Sequence, residues 1–160
     1  MIAWSLTSVV IPAQATADPI AYPDITGYEG AGGLQKFLVA DRDGVWFATP
    51  TGMLCGIGDD GSYGCSGQIP GANHYENEIG WFPGHSAPRA YHADEPRFDS
   101  GVRQHILTTE HRLFYRGSTC AVTLEGRLYC IHGDDAASQM LLITNKGTYV
   151  GGHGDPINKA

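Results

Sequence analysis

The sequence predicts an all-β protein of consecutive antiparallel hairpins, two of them stapled by their own cysteines, closing as a small sandwich or as a partial-barrel or propeller-like meander. Three observations predict it. The first is TCAVTLEGRLYC, residues 119 to 130, where pairing residues whose numbers sum to 250 sets Cys120 against Cys130, Ala121 against Tyr129 and Val122 against Leu128. Leu124, Glu125 and Gly126 are left as a three-residue loop ending in Gly, the residue that accepts the left-handed conformation such a loop needs. The second is LCGIGDDGSYGC, residues 54 to 65, which repeats the plan with a sum of 120 and opposes Cys55 to Cys65 and Ile57 to Tyr63. Directly opposed residues of an antiparallel pair lie close enough for a disulfide. The third is composition: 17% charged residues and 22 Gly in 160 residues describe a turn-rich β protein rather than a helical bundle or a disordered chain.

A chain of this length makes one domain. Residues 1–17 have an apolar stretch from Ile2 to Ile11 followed by small residues at Ala13, Ala15 and Ala17. They are expected to be the latter half of a secretory signal, a truncated signal peptide cleaved after Ala17. No Lys or Arg precedes Lys36, so the basic opening of such a signal is expected upstream of Met1. Residues 18–35, with two prolines and four glycines, are expected to be an extended arm, lying on the domain or loose. The single β domain is expected over 36–151. It starts with a hairpin of Lys36 to Ala40 and Val45 to Thr49 around the turn Asp41 to Gly44, a turn that also resembles a fragment of a calcium loop without the remaining ligands. Residues 66–109 show no sustained period, with Glu78 to Phe82 and Val102 to Leu107 as the candidate strands. Arg112 to Tyr115, Cys120 to Thr123 and Arg127 to His132 then form a meander, and Gln139 to Thr144 with Thr148 to Val150 a last hairpin. Residues 152–160 are expected to be a frayed tail. The clamps recur at an offset of 65 residues, which suggests an approximate internal duplication.

The net charge of −7, with ten Lys and Arg spread singly, argues against nucleic acid as a partner. Two matched cysteine pairs fit an oxidising compartment, and nine residues between partners is poor zinc spacing. Each clamp closes a loop of about 11 residues, worth about 2.5–3 kcal/mol in the chain-entropy model. No metal site is expected from the seven histidines: His105 and His111 stand six apart, and His85 and His92 seven apart, neither a ligand spacing. Ser86, in Gly84-His85-Ser86-Ala87-Pro88, lacks the second Gly of a nucleophile elbow. The carboxylate pairs Asp59-Asp60, Asp94-Glu95 and Asp134-Asp135 stand in turn contexts. The aromatic middle segment is the better candidate. Tyr75, Trp81, Phe82, His85, Tyr91 and His92 are the expected binding residues, and most of these rings are also expected to help complete the core.

Phe47-Ala48-Thr49-Pro50-Thr51-Gly52-Met53-Leu54-Cys55, followed by Cys65, resembles the Phe-x-Ser/Thr-Pro-Ser/Thr-Gly-x-x-Cys…Cys motif of small exported proteins from actinobacteria, particularly mycobacteria. Tyr115 to Thr123 is the second block of the resemblance. It implies an exported protein without an assigned activity, and Met53-Leu54 replaces the Asn-Ile often expected there. Cys120 to Gly133 also resembles a blade hairpin of the chromosome-condensation-regulator type of propeller. Two copies are too few for a closed propeller.

The expected function is therefore that of an exported, disulfide-stabilised, non-catalytic binding protein of the bacterial envelope or extracellular space. Its partner would be an envelope protein, a glycan or a lipid, with no cofactor and no membrane span after signal cleavage. Two other classes compete with it. One is a hydrolase or metal-dependent enzyme using His and Asp residues of segment 68–110; the other is an assembly subunit pairing through exposed strand edges at Lys36 to Ala40 or Gln139 to Thr144. Mature protein recovered from culture medium should begin at Asp18 on N-terminal sequencing, and retention of Met1 would refute the cleavage.

Overall fold

The strands of this chain are short, and the hydrophobic faces they offer close only when two sheets are laid together. A computed structural model describes residues 20–133 and 139–157. The expected signal segment and the Asp134-Asp135 pair lie outside them. In chain order the strands are β1 (Glu29–Gly30), β2 (Val45–Ala48), β3 (Leu54–Ile57), β4 (Tyr63–Ser66), β5 (Glu78–Trp81), β6 (Arg89–Tyr91) and β7 (His105–Ile106). They continue as β8 (His111–Tyr115), β9 (Ser118–Val122), β10 (Leu128–His132), β11 (Met140–Ile143), β12 (Thr148–Val150) and β13 (Asp155–Pro156). One sheet has the order β6-β5-β4-β3-β2-β7, the other β1-β8-β9-β10-β11-β12-β13.

The expected registers hold: Cys55 opposes Cys65 and Ile57 opposes Tyr63, while Cys120 opposes Cys130 and Val122 opposes Leu128. Both disulfides form, each with Cα atoms 4.1 Å apart. Gly126 takes φ 78°, as its loop position requires. Alternate residues of each sheet face the other, so Val45, Phe47, Cys55, Ile57, Tyr63, Cys65, Ile79 and Trp81 share one core with Leu113, Cys120, Val122, Leu128, Cys130, Leu141 and Ile143. The protein is thus a sandwich of two mixed sheets.

The duplication extends to topology. β2 to β5 and β8 to β11 are equivalent antiparallel meanders, and each takes one parallel strand from the lead-in of the other: β7, which precedes β8, pairs with β2, and β1, which precedes β2, pairs with β8. The outer faces are covered too. Ile20, Tyr22 and Ile25 of the arm pack on Tyr129, Ile131 and Leu142, and the Tyr22 hydroxyl donates to the Gly151 carbonyl at 2.5 Å.

Three expectations are corrected. Lys36 to Ala40 is not a strand: Leu34–Phe37 is a short 3-10 turn that sends Phe37 into the core, and the reversal at Asp41 to Gly44 closes on the single bridge Val39 to Arg42. β2 pairs instead with β3 and β7. The stretch Gln139 to Thr144 is no sheet edge, since β11 lies between β10 and β12. The tail is not wholly frayed, because Asp155 and Pro156 pair with Val150 and Tyr149.

A row of glycines crosses the outer face of the six-stranded sheet. Gly56 opposes Gly64, Gly64 opposes Gly80, and the ring of Phe98 fills the trough they leave. A Cβ on Gly64 would stand 2.4 Å from that ring and 2.3 Å from the Ile79 carbonyl. Gly64→Ala should therefore lower unfolding stability by about 1–3 kcal/mol, the cost of overpacking, with an unchanged denaturant slope; a neutral result would show that Phe98 does not occupy the trough.

Candidate functional site

On β4 and β5 the residues that alternate with the core positions, Gly64, Ser66, Glu78 and Gly80, face outward, and residues 92–104 cross over them. Glu78 holds this crossing segment. Its side chain is fully buried, and it accepts hydrogen bonds from Ser66 Oγ, Tyr91 Oη and the backbone N–H of Arg97, each at 2.5 Å. Ser66 Oγ in turn accepts from the N–H of Phe98 at 3.1 Å. A buried carboxylate needs such donors, and here they come from two strands and the loop together. Asn77 exchanges two bonds with the backbone of Ala93, and Gln104 donates to the carbonyls of Phe47 and Cys55 at 2.7 and 3.0 Å. The loop is fastened at both ends.

Between this loop and β6 lies an open groove of about 510 Å³ lined by Glu78, Phe82, Arg89, Tyr91, Glu95 and Arg97, together with Ala90 and Ala93. That volume falls in the usual range for small-ligand sites. The Arg97 guanidinium lies 4.6 Å from the centre of the Phe82 ring, which stacks on Phe98 beyond it. Burial, then the hydrogen bond to Glu78, pushes the Tyr91 hydroxyl well above its ordinary value of 10.0, while the nearby charges of Arg97 and Arg89 pull the other way. Across Phe98 a smaller hollow of about 300 Å³ is lined by Trp46, Asp43, Asp60 and Arg97, with Arg42 stacked 4.8 Å over the Trp46 ring.

Of the residues the sequence singled out, the structure brings Phe82 and Tyr91 together in the groove, with His85 edge-on to Phe82 at 5.9 Å. Trp81 is buried, stacked on Tyr63 and on His132, and its indole N–H donates to the His85 carbonyl. Tyr75 and His92 form a separate exposed pair: His92 Nδ1 lies 2.8 Å from the Tyr75 carbonyl and Nε2 3.1 Å from Asp94. That bond to Tyr75, followed by the one to Asp94, raises the His92 pKa. Ser86 is exposed. Sequence reasoning missed Glu78, Arg89 and Arg97, although an acidic residue alternating with apolar ones at Glu78-Ile79-Gly80-Trp81 is a signal of an outward face.

Ser118 and His132 also meet, at 2.8 Å through Nδ1, yet Ser118 is fully buried and donates its proton to the Gly61 carbonyl at 2.5 Å. His132 therefore donates to Ser118 rather than taking its proton, and the pair ties the two sheets together. Among the described residues no three His, Cys, Asp or Glu side chains gather as a metal site.

Fold and groove define a disulfide-clamped β-sandwich with an open groove on one outer face. Set against known family models, curated proteins and solved structures, the chain matches none.

Burial raises the pKa of Tyr22, Tyr63 and Tyr91 above 10.0 in the native state, so the unfolded chain gives up these protons first. The contribution of these tyrosines to stability is level below about pH 10 and is lost as pH rises beyond it. In pH-dependent urea unfolding, Tyr91→Phe should flatten this alkaline limb and lose about 1–3 kcal/mol at neutral pH as Glu78 loses a donor. An alkaline limb of unchanged steepness would refute the burial of Tyr91.

Proposed function

We propose that the protein is exported and works as a non-catalytic binding protein of the bacterial envelope or extracellular space, holding its ligand in the groove beside Tyr91. The observation that carries this reading is the Glu78 network. It spends every strong acceptor and hydroxyl proton at the groove floor on fixing the walls: Glu78 accepts three donors and Tyr91 commits its proton to Glu78. A floor so committed gives a rigid, pre-organised surface. Two formed disulfides support an oxidising compartment. The resemblance of Phe47 to Cys55 and of Tyr115 to Thr123 to exported mycobacterial-type proteins supports the same location. No helix among the described residues is long and apolar enough to cross a membrane.

The test uses the secreted protein on polysaccharide, lipid and protein fractions of its own cell envelope. Ala93 lines the groove, so Ala93→Trp fills it without changing charge. Retention on one fraction should fall at least about tenfold in this variant, the equivalent of about 1.4 kcal/mol, while its unfolding midpoint stays that of the parent. Retention indifferent to Ala93→Trp would sink the groove as the binding site.

A further inference from the structure

We infer that the ligand of this groove is a ring bearing a carboxylate, an acidic sugar of the uronic-acid type, gripped by Arg97 and Arg89. The inference rests on the binding reading above and names its chemistry. In a chain of net charge −7, cations are outnumbered by acids, 10 to 17. Yet the ion pairs among the described residues are His92 with Asp94 and His111 with Glu29. Both groove arginines are exposed and neither lies within ion-pair distance of a carboxylate among the described residues, although the charge of Arg97 also acts on Asp60 across Phe98. The Arg97 guanidinium sits over the Phe82 ring, 4.6 Å from its centre, and its planar N–H groups have the geometry that takes a carboxylate in a bidentate pair. Arg89 lines the same groove, and the charges of both arginines reach the Tyr91 hydroxyl.

Three acids bear on the site: Asp60 lies across Phe98 and shares the charge of Arg97, while Glu78 and Glu95 line the groove itself. Glu78 lies beneath the floor with its oxygens occupied by three donors, and Glu95 stands on the rim. Glu95 forms no ion pair with either arginine, and as an acceptor it suits the hydroxyls of a sugar. Tyr91 and Ala93 supply apolar surface for the ring carbons, and a bare anion would leave that surface wet.

The measurement is calorimetric titration with amide NMR mapping, using D-glucuronate, its neutral counterpart D-glucose, and inorganic phosphate as an anion without a ring. Glucuronate should bind about tenfold or more tighter than either, with shifts centred on Tyr91, Ala93 and Arg97. Arg97→Lys and Arg89→Gln should each weaken it by about tenfold, because a planar fork rather than charge alone makes the contact. Equal affinity for glucose, equal affinity for phosphate, indifference to both substitutions, or shifts lying elsewhere would each overturn the inference. If envelope retention still depends on Ala93→Trp while glucuronate fails to bind, the carboxylate clamp is wrong and the binding reading stands. Loss of that dependence would instead remove the binding reading itself.

Discussion

The two cross-strand cysteine pairs are the constraint on which the rest of this structure depends. Strands of four and five residues bury little surface each, and a hairpin of that size is marginal alone. A covalent link at the centre of each pair fixes register, and register decides which face every other side chain takes. With Cys55 and Cys65 turned inward, Gly64, Ser66, Glu78 and Gly80 must turn outward. The groove is thus a consequence of the clamp on the opposite face of the same strands.

The outer face would be poorly packed without cover. Glycines in strand interiors weaken a sheet unless something approaches closely, and here Phe98 does so, filling the trough that Gly56, Gly64 and Gly80 leave. A single buried carboxylate then organises the loop that delivers Phe98, because Glu78 must find donors and the nearest ones sit on β4, β6 and the loop. Removing water from that carboxylate and ordering the loop are one event. This couples the stability of the sheet to the shape of the site.

The hairpins were legible because their information is local. Cys-to-Cys spacing, a Gly at the loop's left-handed position and inward alternation are all contained within a dozen residues, and the sum rules for 120 and 250 matched the registers strand for strand. The same arithmetic already set Gly56 against Gly64, the beginning of the trough. What could not be read was anything set by distant partners. The Phe37 ring is drawn into a core formed elsewhere, so the apolar run Lys36 to Ala40 is spent on a turn rather than a strand. Likewise Trp81 looked like a ligand-facing ring but lies inward by alternation, stacked on His132 from the other sheet. Arg89 and Arg97 carry no pattern in sequence; only the pairing of β5 with β6 and the return of the loop bring them to one groove.

The exchanged parallel strands give the two halves a shared fate. Because β7 completes the sheet begun by β2, and β1 completes the sheet begun by β8, neither half is whole until the other has been made. During synthesis from the N-terminus the edge of β2 stays open until residues 105 and 106 arrive, and β1 waits for residues 111 and 112. These exchanged pairings lock the repeat units into a single body. A half-length chain of this design would leave both edges seeking the matching strand of a second molecule.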